Sequence, residues 1–126
     1  MTYSGQSVKR LEDHRLLTGQ NTYVDDIKLP GMLHALVLRS PHAHATIRYT
    51  DTTAAINLTG VVSVVTALGL AEGVGNVSTR GNTDADDLRP PEHPVLAGDK
   101  VCYVGQPVAI VVVEDLYLAR DALELI

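Results

Sequence analysis

The sequence predicts a mixed α+β domain, and three observations carry that prediction. Val108–Val113 is an unbroken apolar run, β-branched at five of six positions, as in a strand covered on both faces. Asp115 follows as a helix N-cap residue, and Leu116, Ala119 and Leu123 then recur at helical spacing. Upstream, short strand patterns and one short helix alternate without the regular βα repeat of a doubly wound sheet.

In chain order, Met1–Lys9 is polar and predicted to be mobile, and the domain is predicted over residues 10–126. Arg10–Leu17 has the pattern of two helical turns, ended by Gly19. Leu29-Pro30-Gly31 is a turn signal. Met32–Arg39 and Ala45–Tyr49 alternate as strands, joined by Ser40-Pro41-His42-Ala43-His44. Asp51 is placed to cap a helix running to about Asn57. Val61–Thr66 has the apolar character of a central strand. Residues 69–98 form a long Gly-, Asp-, Asn- and Pro-rich loop with space for one helical turn near Leu68–Glu72; Asn82–Pro94 is its most mobile predicted part. Val101–Val104 and Val108–Val113, separated by Gly105-Gln106-Pro107, are predicted to form a hairpin against which the rest leans. The result is a mixed sheet with two main helices and a long loop.

At 126 residues the chain can bury one real core, and with no Phe and no Trp that core must be aliphatic. A net charge of −5, with basic residues scattered singly, argues against nucleic acid or an anionic membrane as the main partner. No apolar stretch approaches the roughly eighteen residues of a membrane-spanning helix. Cys102 is the single cysteine, so no internal disulfide forms and a cytoplasmic location is expected. Leu123-Glu124-Leu125-Ile126 lies in a helical turn with neither Gly cap nor Pro stop, the pattern of a chain that continues.

Motifs for chemistry are sparse. His42 and His44 form an H-x-H pair with no spacing that brings a third zinc ligand, whether His34, His93 or Cys102, beside them. Asp84-Ala85-Asp86-Asp87 is acidic enough to suggest calcium. Arg89 and Val95, however, occupy the places where a calcium-binding EF-hand loop needs Gly and an acidic residue. Asp25 and Asp26 face opposite sides of an extended backbone and cannot act as a carboxylate pair. Gly69, Gly73 and Gly75 match no phosphate-binding spacing. Cys102, on a predicted strand, is expected to be buried and inert. No nucleophile has a base beside it in sequence, so the residues predict no catalytic, cofactor-binding or metal site. They describe a scaffold or interaction domain.

Four ordered phrases carry a family resemblance. Arg10-Leu-Glu-Asp13, Arg15-Leu-Leu-Thr-Gly19 and Tyr23-Val-Asp-Asp26 open it. Leu33-His34-Ala35, Arg39-Ser-Pro-His-Ala-His44 and Ile47 follow. Gly60–Ala67 comes next, with Thr59 where the family usually has Pro. Leu96–Val101, Tyr103–Pro107 and Tyr117–Ala122 close it. Together they resemble the molybdenum-containing large subunit of carbon monoxide dehydrogenase and its aldehyde oxidase and xanthine dehydrogenase relatives.

The resemblance implies an N-terminal α/β-hammerhead domain whose family ends it with one more strand after the last helix. It also implies a parent enzyme that oxidises carbon monoxide, aldehydes or N-heterocycles with water as the oxygen source. That parent carries molybdopterin in a dinucleotide form, with 2Fe–2S clusters and FAD on partner subunits or domains. No residue of this chain matches the family's pterin-binding or catalytic positions. The implied partners are the remaining large-subunit domains and the iron–sulfur and FAD subunits. Contacts are expected at Arg39, Ser40, His42, His44, Gly105, Gln106, Leu125 and Ile126. A free-standing binding module with the same fold is the rival reading.

Overall fold

A computed structural model describes residues 4–70, 74–77 and 93–126. It divides the chain into two compact units, Met1–Met32 and Leu33–Ile126.

In the first unit one helix forms, α1 (Asp13–Leu17), shorter than the predicted Arg10–Leu17. The Arg10 N–H donates to the Asp13 carboxylate (3.2 Å) ahead of the helix. The Thr18 hydroxyl donates to the His14 carbonyl (2.8 Å), and Gly19 leaves the helix at φ +69°. A single 3-10 turn at Val24–Asp26 is held by the Tyr23 N–H on the Asp26 carboxylate (2.9 Å). No described residue of this unit is buried. Leu11, Leu17 and Val24 are exposed almost completely.

The described residues of the second unit form two sheets. The larger joins β1 (His34–Arg39), β3 (Val61–Thr66) and β5 (Pro107–Val113) in the order β1-β5-β3, with both outer strands antiparallel to β5. The smaller pairs β2 (Ala45–Thr46) with β4 (Lys100–Val101). Among the described residues two α-helices accompany these sheets, α2 (Thr53–Ile56) and α3 (Leu116–Leu123).

This topology corrects three sequence-based expectations. Among the described residues Val61–Thr66 is an edge strand, and β5 takes the centre. Val101–Val104 does not pair with β5 as a hairpin; only Lys100–Val101 is extended, and it pairs with β2. The predicted strand Ala45–Tyr49 shortens to Ala45–Thr46, with the Ile47 N–H still bonded to the Asp99 carbonyl (2.8 Å). The common cause is partner choice. Local alternation marks a segment as extended but does not say which strand it meets.

The core lies between the large sheet and α3. Val111, Val113, Ala119 and Ala122 are fully buried, with Leu36, Leu58, Val61, Val64, Leu118, Leu123 and Ile126 packed around them. Paired residues share a face, so Leu36, Val111 and Val64 all point toward the helix. On α3 the buried face is Leu118, Ala119, Ala122 and Leu123, whereas Leu116 is 45% exposed. The apolar stripe is therefore rotated from the predicted Leu116–Ala119–Leu123 face. The small Ala119 and Ala122 let the helix approach the valines of β5 closely.

The other face of β5 is less covered than predicted. Val108, Ile110 and Val112 are half-buried, while Ala109, Val111 and Val113 are buried completely.

Asp115 caps α3 as the sequence predicts, its carboxylate accepting the N–H groups of Tyr117 (2.8 Å) and Leu118 (3.4 Å). At α2, Thr52 takes the N-cap place expected for Asp51. Asp51 instead accepts the Thr53 N–H (2.9 Å), and hydrogen bonds from Thr53 hold its carboxyl below the ordinary carboxylate range. At the entry to the predicted long loop, a 3-10 turn stands at Ala67–Gly69. Leu96 and Ala97 at its far end are buried. Most of the loop expected to be mobile, Asn82–Pro94, lies outside the described residues.

Gly60 links α2 to β3 at φ +91°, and a Cβ built there would stand 2.6 Å from Leu118 Cδ2. Gly60→Ala therefore combines left-handed strain with a collision against core packing. It should lower stability by about 1–3 kcal/mol, read as a fall in the urea midpoint with unchanged slope. Asp115→Ala removes a cap that serves two amides and should cost about 1 kcal/mol in the same measurement.

Candidate interface corner

The residues singled out as contacts fall into two groups. Arg39 ends β1, Ser40, His42 and His44 lie on the connection from β1 to β2, and Gly105 and Gln106 lie on the connection from β4 to β5. The structure brings these two connections together. The Ser40 N–H donates to the Gln106 carbonyl (3.0 Å), and the Gly105 N–H donates to the Ser40 carbonyl (2.8 Å). The Arg39 guanidinium donates to the Gly105 carbonyl (2.9 Å). Each connection carries the chain from one sheet to the other, so these bonds lock the corner at which the sheets meet.

The side chains finish the corner. Ser40 and Gln106 are the buried polar residues among those described. Ser40 Oγ accepts the His42 N–H (3.0 Å), which folds Pro41 into a tight turn. Gln106 Oε1 accepts the Cys102 N–H (2.6 Å), and the Gln106 N–H donates to the Tyr103 carbonyl (3.3 Å). Gly105 supplies φ +88° for that turn. One residue further on, the Pro107 carbonyl accepts the Ala97 N–H (2.8 Å), tying in the end of the long loop.

Leu125 and Ile126 do not join this corner by any hydrogen bond. Their N–H groups close the last turn of α3, on Ala122 and Leu123. Leu125 is 43% exposed, while Ile126 packs against the core.

Candidate chemistry fares as follows. His42 and His44 are exposed, and among the described residues no three His, Cys, Asp or Glu side chains converge on a metal position. The acidic run Asp84–Asp87 lies outside the described residues, as does Gly73. Cys102 is exposed, against the expectation of a buried thiol. Its strand ends at Val101, so the chain turns at Cys102 and its side chain leaves the core.

Two features of the corner escaped the sequence. His93 and Tyr103 stack with ring centroids 5.6 Å apart and a 3.1 Å contact between Tyr103 Oη and His93 Nε2. Leu96, the largest of the fully buried side chains, is the other. Its signal was legible: an apolar pair, Leu96-Ala97, set between Pro94 and Gly98 in a polar stretch.

No buried side-chain nitrogen or oxygen among the described residues lacks a hydrogen-bond partner. The corner is thus a satisfied structural joint that presents Arg39, His42 and His44 outward. Comparison with known proteins gives it a context. Residues 18–126 match the family model described as the aldehyde oxidase and xanthine dehydrogenase a/b hammerhead domain. The chain belongs to this family.

The hammerhead chain is 46% identical to the gamma subunit of the 6-hydroxypseudooxynicotine dehydrogenase complex of Paenarthrobacter nicotinovorans, over 97% of its own length and 16% of that protein. Its fold is similar to quinoline 2-oxidoreductase of Pseudomonas putida 86 (TM-score 0.84, 41% identity), covering 96% of this chain and 15% of that one. It is also similar to the Cu,Mo-CO dehydrogenase (TM-score 0.74, 40% identity), covering 96% and 14%. The chain therefore spans about a sixth or less of the proteins it resembles, one of which is named as a copper- and molybdenum-containing CO dehydrogenase.

The corner hydrogen bonds separate two adjacent positions. Gln106→Ala removes the acceptor of the Cys102 N–H at a part-buried hydrogen bond and should cost about 0.5–1.5 kcal/mol in urea unfolding. Cys102→Ser, at an exposed side chain, should stay within about 0.5 kcal/mol of the unchanged chain.

Proposed function

We propose that this chain is the N-terminal structural and assembly domain of a molybdenum hydroxylase large subunit, not catalytic alone. The domain is taken as residues 10–126, led by the segment 1–9. The match over residues 18–126 carries this reading. The chemistry of the described residues agrees with it. Ser40 and Gln106, the buried polar side chains, are both engaged with backbone groups of the corner. They form no polar cradle for a pterin, so the described residues do not fit the cofactor. Molybdopterin and the reacting groups are assigned to the rest of the parent polypeptide, and 2Fe–2S clusters and FAD to partner subunits or domains.

In the parent this domain would hold geometry and contact its neighbours. Ser40, Gly105 and Gln106 shape the corner. Arg39, His42, His44 and Leu125 reach outward for contact with the remaining large-subunit domains or the iron–sulfur partner. Ile126, packed on the core, contributes less than its sequence position implies. The parent reaction is oxidation of carbon monoxide, an aldehyde or an N-heterocycle with water as the oxygen source. A cytoplasmic site of action is part of this proposal. Among the described residues no helix is long and apolar enough to cross a membrane.

The test is the complete reading frame, expressed with its neighbouring subunit genes and assayed for molybdenum and pterin. The expected product is a polypeptide about six times this length, the ratio implied by 16% coverage of the gamma subunit, carrying both. A purified product without molybdenum or pterin would leave the free-standing binding module as the better reading.

A further inference from the structure

The small sheet presents a face whose charge is opposite to that of the chain as a whole. β2 and β4 pair Ala45 with Val101 and Thr46 with Lys100, and the Ile47 N–H on the Asp99 carbonyl (2.8 Å) carries the pairing one residue further. Alternation gives this ribbon two faces. On the inner one Val101 is buried, and Ala45 and Ile47 are half-buried. Thr46 and Lys100 lie on the other, and both are exposed. His44 and Arg48, two residues to either side of Thr46, are exposed as well.

The ribbon thus brings together cations that the sequence scatters. Arg48 and Lys100 are diagonal neighbours across it, a relation that sets two residues about 7–8 Å apart. No described carboxylate stands within 4 Å of either; among the described residues such pairing is confined to Arg10 and Asp13. The acids that flank them in sequence are otherwise placed. Asp99 pairs with Ile47, out of phase with Lys100, and Asp51 accepts the Thr53 N–H.

Two cations with a hydroxyl beside them suit carboxylates. An arginine takes a carboxylate side-on through its fork of N–H donors, and a lysine takes one as a point charge. A run of phosphates fits less well. The chain's net charge of −5 opposes a polyanion, and two fixed cations neutralise few phosphates. Complementary charge also steers bodies that meet by diffusion, which separate subunits do and the domains of one polypeptide do not. One relative is named as the gamma subunit of a complex.

We propose that the outer face of the small sheet, with Arg48, Lys100 and Thr46 at its centre, is a docking surface for a carboxylate-bearing face of a partner subunit. The proposal rests on the reading that this chain is one domain of a multi-subunit enzyme. It continues the outward corner from His42 and His44 along β2 and gives what meets it a chemical character.

Carbodiimide crosslinking of the complete enzyme, expressed with its neighbouring subunit genes, tests this. The reagent joins a lysine directly to a carboxylate, with no spacer, so only groups already in contact are linked. The expected product is Lys100 joined to an Asp or Glu of another subunit, identified by mass spectrometry of the linked peptides. Lys100→Arg keeps the charge and should lose the link while subunit association stays unchanged. Arg48→Glu with Lys100→Glu, both at exposed positions, should weaken association about tenfold or more and make it less sensitive to NaCl. The urea midpoint of that double variant shows that it folds, and molybdenum is measured on the same preparations. Molybdenum-loaded enzyme in which Lys100 links to nothing, or only to its own polypeptide (the Asp84–Asp87 run included), overturns the docking surface and leaves the parent reading intact. So does a double variant that holds its partner as tightly as the unchanged enzyme. A product without molybdenum or pterin overturns the parent reading and the docking surface with it.

Discussion

The second unit depends on the exchange of backbone hydrogen bonds between Ser40 and the Gly105–Gln106 peptides. β1 and β5 are neighbours for six residues and then part company, β1 continuing to β2 and β5 receiving the chain from β4. Where two strands diverge, their backbone groups lose ladder partners, and burying them unpaired would cost about 1–3 kcal/mol each. The Ser40 exchange supplies those partners at the point of divergence. Gln106 extends the same repair to the Cys102 amide through its side chain. The irregularity between Leu38 and Arg39 lies at the mouth of this corner, where β1 bends away from the large sheet.

That joint explains which parts of the fold were legible. β5 and α3 were visible because each is specified locally: five β-branched residues in a run, then an Asp in position to cap. Strand membership was not. Val101 and Ala45 belong to a two-residue pairing whose partners are separated by more than fifty residues, and nothing local marks such a pair. The placing of Val61–Thr66 at the centre failed for a related reason. Its valines are apolar because the sheet faces α3 on one side and is half-covered on the other, not because strands flank it. For Cys102 the predicted strand Val101–Val104 overran the observed end at Val101, so Cys102 falls in a turn instead of on a buried strand face.

The corner residues show the same division. Arg39–His44 and Gly105–Gln106 stood out as turns and carried the family resemblance, and the structure does bring them together. What the sequence could not distinguish was inward from outward. Ser40 and Gln106 are buried and saturated by the chain's own backbone, whereas Arg39, His42 and His44 are exposed. Polar residue type alone is silent here, because a turn Ser may cap a backbone amide or reach toward solvent with equal ease.

The distribution of apolar surface gives the last constraint. α3 covers one face of the large sheet, and the opposite face presents Val37, Val65, Ile110 and Val112, all half-buried. An antiparallel sheet with its second face in water normally alternates these positions with polar side chains. Here β5 does not alternate at all, and only Ser63 interrupts the pattern on β3. The first unit shows the same excess in another form, with Leu11 and Leu17 exposed on either side of a five-residue helix that buries nothing. A helix so short gains little from its own hydrogen bonds, and its leucines would stabilise it only against a further surface. Both features are those of a domain whose apolar residues exceed what its described partners cover, and whose polar residues are used up in turning the chain. Among the described residues the apolar excess lies on the open sheet face and the first unit, and the buried polar groups lie at the corner.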